Sequence, residues 1–350
     1  MEKINKIVTK IPKVEQNNST QSEFIRKLHS RFTKELLEIN DIILESLDCD
    51  EEIIKNVGTY LLKSGGKRIR PLLTILSSKL FGYSGNNNIF LAASTEFIHA
   101  ATLLHDDVVD SSLLRRFQPT ANSLWGNKAS ILVGDFLFSQ SFKLMVKTSC
   151  LKSLEVLSKA STIIAKGEVS QLSSTNSDKL TSREEYYKII EAKTAELFAA
   201  AAKVGAIISG RSKDESDHMY NYGRAVGLIF QIKDDLMDYY SKANDSGKNT
   251  GDDFFESKIT LPIIILMEKI DKNEKQIIHK FFVERKEKTI EDLNLMISLL
   301  NKYRIVEEIE KEINILNKIA NESLENLKNI DEDIKNLLKE LVQFSSKRAV

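Results

Sequence analysis

Proline is scarce in this chain, with four in 350 residues, at positions 12, 71, 119 and 262. Proline removes a backbone donor and breaks helix interiors, so its scarcity leaves room for long uninterrupted helices. Cysteine is scarcer still, and Cys49 and Cys150 stand in no pairing or metal-binding pattern. That excludes a disulfide-framed fold and a structural zinc site, and it fits a reducing compartment, the cytoplasm. Charge of one sign is not in excess, since Lys plus Arg and Asp plus Glu are 50 each. Without a global basic field, no nucleic-acid partner is expected. No apolar run approaches the roughly 20 residues that span a bilayer. The longest, such as residues 261 to 267, suit buried helix, so no transmembrane segment is expected. The N-terminus lacks the apolar stretch of a secretory signal.

What remains is a chain long enough to bury a large core, with 42% hydrophobic residues. Ile25, Leu28, Phe32 and Leu36 recur at helical spacing, as do Leu293, Met296, Leu299 and Leu300, then Ile305, Ile309, Ile313 and Leu316. Strand alternation, domain linkers and low-complexity tracts are missing. The expectation is an all-α fold, with residues 1–20 as a flexible tail and 21–350 as one domain.

The acids concentrate in two places. HDDVVD at 105–110 puts Asp106 and Asp110 one helical turn apart, about 6 Å along the axis, with Asp107 beside them. The preceding run from Phe97 to Leu104 is mostly apolar, so these like charges sit at the end of a buried segment. A hard divalent cation is the simplest neutralising partner, and Mg²⁺ is typically held by one or two carboxylates, with water and substrate phosphate completing its shell. The same spacing returns in KDDLMD, where Asp234, Asp235 and Asp238 follow the apolar run 227–230. One such cluster alone reads as a solvated helix face. Two copies, each after an apolar helix, suggest two helices facing each other across one cavity.

Cations gather around these acids. Ser64-Gly65-Gly66-Lys67-Arg68-Ile69-Arg70-Pro71 ends one helix, opens another and offers an anion site. Arg115 and Arg116 follow Asp110, and guanidinium forks bind phosphate oxygens bidentately. Lys193, beside Thr194, is a lone charge amid apolar neighbours, and Lys248 and Lys258 flank a polar glycine-bearing loop. Thr181-Ser182-Arg183-Glu184 resembles a capping box.

Taken in order, these segments resemble the trans-isoprenyl diphosphate synthases, or polyprenyl synthetases. The matching motifs are GGKRIRP at 65–71, FIHAATLLHDDVVD at 97–110, RR at 115–116, PTAN at 119–122 and ILVGD at 131–135. KT at 193–194, FQIKDD at 230–235 and GKNTGDDFFESKITLP at 247–262 continue the likeness, whose wording is most similar to bacterial octaprenyl-type enzymes. The resemblance implies a single large helical bundle around a central cavity, in a homodimer. It implies that Asp106 and Asp110, with Asp107 assisting, bind two Mg²⁺, and that Asp234 with Asp235 and Asp238 binds a third. Arg115, Lys193, Thr194, Gln231, Lys248 and Lys258 would hold the allylic diphosphate, and Lys67, Arg70, His99 and Arg116 the isopentenyl diphosphate.

The implied reaction is successive head-to-tail 1'-4 condensation of isopentenyl diphosphate onto an allylic diphosphate, giving a long all-trans chain for quinone side chains that is passed to a membrane. Such chemistry needs the leaving diphosphate neutralised and the allylic cation kept from water. The released pyrophosphate is the expected proton acceptor. Ala101 and Thr102, five and four residues before Asp106, are small where short-chain relatives carry a blocking aromatic. They imply an open tunnel, with Phe142 or Met145 as its floor. The chain departs from the family in Phe117, where glycine is usual, and in Ser111-Ser112, where an acid is common; both bear on how far the arginine pair reaches. The rivals are a medium-chain geranylgeranyl or farnesyl diphosphate synthase, a terpene cyclase, and a non-catalytic helical metal-binding subunit. The second intact acid cluster and GGKRIRP weigh against a cyclase, and the retention of every acid weighs against a scaffold.

Overall fold

The computed structural model describes residues 19–63, 66–115, 118–175, 180–240, 251–284 and 287–347. The expected tail lies outside these residues except at its end, where Ser19 and Thr20 already belong to a helix. The N-terminal half runs through α1 (Ser19–Arg31), α2 (Thr33–Ser46), α3 (Glu52–Lys63), α4 (Ile69–Leu80) and α5 (Asn87–Val109). A two-residue ribbon, β1 (Leu114–Arg115) and β2 (Gln118–Pro119), precedes α6 (Ala121–Trp125), α7 (Asn127–Lys147) and α8 (Leu151–Thr175). Then come α9 (Arg183–Ile190), a π-helical turn (Glu191–Ala195), α10 (Glu196–Ile208) and α11 (Lys213–Tyr240). The C-terminal part holds α12 (Asp252–Phe255), α13 (Leu261–Lys269), α14 (Lys272–Phe282), α15 (Ile290–Lys302), α16 (Ile305–Glu325) and α17 (Glu332–Ser346).

The prolines sit where helices tolerate them. Pro71 and Pro262 occupy first turns, where their missing N–H would have no intrahelical partner. The longest helices are therefore unbroken, α8 at 25 residues and α11 at 28. Ser182 caps α9 in a reciprocal capping box completed by Glu185. The small run Ala199–Ala202 is fully buried and lets α10 pack closely on α4 and α11.

Helices α5 and α11, which carry the two acid clusters, are the inner pair. α5 packs along α7 and α4, and α11 along α10 and α16. One apolar cluster runs from Ile25 to Phe344. A second, smaller one joins Leu91 and Ile98 of α5 to Met145, Leu157, Ile164 and Leu197. The C-terminal amphipathic helices bury the faces their spacing marks out. The ribbon is an unexpected strand pair, and it holds Leu114 opposite Pro119 and Arg115 opposite Gln118.

α7 is long and apolar enough to cross a membrane by length and composition, because its few charges are spaced along 21 residues. It nevertheless packs along α5 while leaving Ile131, Leu132 and Val146 exposed.

Candidate active site between two acid-bearing helices

The first cluster lies where α5 ends. The Asp110 N–H still donates to the Asp106 carbonyl at 2.8 Å, so the two acids keep their one-turn spacing. Asp107 turns inward. It is 2% exposed, and its Oδ1 accepts Nε and Nη2 of Arg115 at 3.0 and 2.8 Å. The loop that delivers Arg115 is fixed by the PTAN segment. Thr120 Oγ1 donates to the Ser112 carbonyl at 2.7 Å, and Asn122 Nδ2 donates to the carbonyls of Asp107 and Ser112. With Ser111 at a φ of 51°, the chain turns sharply and Arg115 reaches the cluster despite the Ser111-Ser112 departure. Arg116, Phe117 and Lys248 lie outside the described residues.

Two bridges join the first cluster to the second. Lys193 Nζ stands 3.7 Å from Asp106 Oδ2 and 2.9 Å from Glu168 Oε2. The adjacent Thr194 donates to Gln231 Oε1 at 2.7 Å, and Gln231 Nε2 donates to Asp235 Oδ1 at 2.7 Å. On the other side, Lys258 Nζ stands 3.7 Å from Asp110 Oδ2 and 2.6 Å from Glu256 Oε2. The Lys258 N–H donates to the Asp253 carbonyl, and the Asp253 N–H donates to Asp238 Oδ2 at 3.1 Å. The acid sets are thus linked from both sides, as the repeated spacing implies.

One acid of each cluster, Asp106 and Asp235, has its pKa raised. Asp235 is buried and accepts Tyr186 Oη at 2.6 Å as well as Gln231. Burial and the nearby Asp253 push its carboxyl well above the usual range, against these two hydrogen bonds. Asp106 is pushed up to about 6 by burial, which Lys193 opposes and Glu168 and Asp110 reinforce. Burial works against the Lys193 ammonium, but Asp106 and Glu168 outweigh it and raise its pKa. Lys258 is raised in the same way, by Asp110 and Glu256 against burial.

The segment after Gly66 meets α5 and α10. Arg68 pairs with Glu96, which draws the segment beside α5 one turn before His99. Arg70 lies over the Phe198 ring at 4.6 Å and Lys67 over Phe344 at 5.1 Å. The expected product-length residues separate. Ala101 is buried in the main core, and Thr102 donates its hydroxyl to the His99 carbonyl at 2.8 Å. Phe142 and Met145 pack with Ile98, one turn before Thr102 and two before Asp106.

Sequence reasoning gave no role to Glu168, Tyr186, Asp253 or Glu256. Glu168 sits in an ordinary amphipathic pattern, and Tyr186 is one of two adjacent tyrosines. Asp253 and Glu256 lie inside the quoted 247–262 motif, which was the one available signal.

Opposed carboxylate clusters ringed by lysine and arginine, at the ends of two buried helices in an all-α fold, define a helical enzyme of phosphorylated substrates. Comparison with known proteins specifies it. The polyprenyl synthetase family pattern matches residues 51–300. Octaprenyl diphosphate synthase of Escherichia coli is 44% identical over 243 residues, covering 69% of this chain and 75% of that one. The crystal structure of a decaprenyl diphosphate synthase from Rhodobacter capsulatus superposes with a TM-score of 0.86 at 38% identity, over 93% of this chain and 99% of that one. A polyprenyl synthase from Caulobacter crescentus, complexed with calcium and isoprenyl diphosphate, gives 0.86 at 38% identity over 93% and 98%. The chain belongs to the polyprenyl synthetase family. It is a trans-prenyltransferase.

The donor set fits a divalent cation. All its acids offer hard oxygen ligands, and Asp106, raised chiefly by burial, is a carboxylate whose charged form a bound cation would stabilise. Glu168 Oε1 is buried without a hydrogen-bond partner among the described residues. Among those residues no three potential ligands converge on one point.

Proposed function

We propose that this chain elongates an allylic diphosphate to octaprenyl-like length with isopentenyl diphosphate, using two to three Mg²⁺ held by Asp106 and Asp110 on one side and Asp234 on the other. Asp238 steadies the second side through its loop contact. The observation that carries this reading is the double bridge, in which Lys193 and Lys258 each touch the first cluster and connect to the second. Bound Mg²⁺ supplies Lewis-acid neutralisation of the departing diphosphate. The protein's own groups do the rest. Lys193, Thr194, Gln231 and Lys258 grip the allylic diphosphate, joined by Lys248. Arg115 exchanges Asp107 for a phosphate oxygen when substrate arrives, a swap favoured by the match between its planar fork and phosphate. Lys67, Arg70, His99 and Arg116 orient isopentenyl diphosphate, so that its double bond meets the allylic carbon before water does.

The growing chain descends from Asp106 past Ala101 and Thr102 toward Phe142 and Met145. The exposed apolar residues of α7 support a homodimer formed along that helix. Cys49 and Cys150, both free thiols, support a cytoplasmic enzyme, and its product is the kind passed to a membrane for quinone side chains. The helices from α1 onward form one synthase domain.

The test is incubation with labelled isopentenyl diphosphate, farnesyl diphosphate and Mg²⁺, followed by chain-length chromatography. Octaprenyl-sized product is expected. Geranylgeranyl product alone would make it a medium-chain synthase, cyclic hydrocarbon a cyclase, and no turnover a scaffold.

A further inference from the structure

The residues that present Lys193 and Thr194 are not α-helical. The helix that begins at Arg183 widens into a π-helical turn over Glu191–Ala195 before resuming as α10. A single wide turn inside an α-helix has poorer backbone geometry, persists only where its surroundings hold it, and recurs at functional sites. Here it allows neighbouring side chains to serve opposite halves of the site, Lys193 toward Asp106 and Thr194 toward Gln231 and Asp235.

The surroundings that hold it are specific. On one side α8 presents Gly167, where a Cβ would lie 2.8 Å from Ala192 Cβ and 3.2 Å from the Lys193 nitrogen. On the other, α11 presents Gly227, where a Cβ would lie 2.6 Å from Ala195 Cα. The turn is wedged between two helix backbones that carry no side chain at the point of contact. Three positions on α11, at helical spacing, then engage it. Arg224 forks onto Glu191 at the start of the turn, with Nε to Oε1 and Nη2 to Oε2 both at 2.6 Å. Gly227 meets Ala195 at its end, and Gln231 takes the Thr194 hydroxyl.

We propose that the Glu191–Arg224 pair is a positioning device for the allylic diphosphate. It locks the π-turn so that Lys193 and Thr194 point into the site before substrate binds, and it touches no reacting atom itself. The inference rests on the reading of Lys193 as a diphosphate ligand. Two parallel charge-assisted hydrogen bonds fix an angle as well as a distance, which a single contact does not. Displacements of about 1 Å at such a site cost up to about a hundredfold in rate.

The experiment is a cycle of Arg224→Ala, Arg224→Lys, Lys193→Ala and the Arg224→Ala/Lys193→Ala double variant. Each is assayed for kcat and both KM values, and titrated calorimetrically with inorganic pyrophosphate in Mg²⁺. Arg224→Ala is expected to lose about tenfold in kcat/KM for the allylic diphosphate and in pyrophosphate affinity, with KM for isopentenyl diphosphate within about twofold of wild type. Arg224→Lys recovers part of the loss. Because Arg224 acts largely through Lys193, the double variant loses less than the product of the two single losses. Losses that multiply in the double variant, or an Arg224→Ala protein with wild-type constants beside an impaired Lys193→Ala, overturn the inference alone. Equal impairment of both KM values together with a matching fall in melting temperature would show a merely structural role. A Lys193→Ala enzyme with wild-type constants would sink the functional reading and this inference together.

Discussion

The two acid clusters are spelled alike and built differently. In each, the second aspartate turns into the protein, Asp107 from α5 and Asp235 from α11, each at most 5% exposed. Asp107 meets a guanidinium, whereas Asp235 meets a phenol and an amide. Burial and the nearby Asp253 push Asp235 toward its protonated form, and the hydrogen bonds from Tyr186 and Gln231 only partly oppose them. Identical spacing therefore does not imply identical electrostatics. The first cluster is organised by charge pairing, with Arg115, Lys193 and Lys258 around it. In the second, among the described residues, Asp235 is held by neutral hydrogen bonds and Asp238 meets the backbone of the following loop at Gly251 and Asp253.

The largest test of this contrast is catalytic. Asp106→Ala should cut turnover by about a thousandfold with the fold intact, on the scale seen when a preorganised electrostatic group is lost. Near-normal isopentenyl incorporation would remove the metal-holding role. Stability comes next. Arg115→Ala leaves Asp107 buried without its cation and should cost about 3 kcal/mol or more in denaturant unfolding. Tyr186→Phe removes one neutral donor from Asp235 and should cost about 1–2 kcal/mol. Equal costs would mean that the two inward acids are not held by different physics.

Removing the metal exposes a pH effect. Asp106 has a pKa of about 6 in the folded protein and 3.8 as its ordinary value, so between these pH values the folded state binds more protons than the unfolded chain. Its contribution is fully present below the ordinary value and is lost as pH rises through about 6. Metal-free protein should therefore melt at a higher temperature at pH of about 5 than at about 7, and Asp106→Asn should flatten that slope. Asp235, also raised, acts in the same direction. An unchanged slope in Asp106→Asn would place the titration elsewhere. The last test is a matched pair five residues before each cluster. Ala101→Phe should shorten the product by several isoprene units, whereas Ile229→Val, at the buried equivalent on α11, should leave its length unchanged and cost about 1 kcal/mol. Equal product profiles in both would dissolve the tunnel argument.

Much of this was legible in the residues. Apolar spacing gives the helices within a few residues, since a buried stripe must repeat with the helical period. Thus α11 runs from Lys213 to Tyr240 where apolar pattern alone suggests 219 to 238. The π-turn at Glu191–Ala195 was not legible, because local composition there reads as ordinary helix and only packing against Gly167 and Gly227 favours the wider turn. Nor were Glu168, which pairs with Lys193 beside Asp106, and Tyr186, which donates to Asp235. Glu168 and Tyr186 lie on helices remote in sequence from Asp106 and Asp235, and nothing local marks them.

The sequence by itself determined the helical class, the two carboxylate sets and most of the cations around them, because these depend on residue type and short-range spacing. The tertiary structure alone decided which acid of each set is buried, which partner neutralises it, and how Lys193 and Thr194 are aimed. Those outcomes depend on desolvation and on contacts between segments far apart in the chain, which no local pattern encodes.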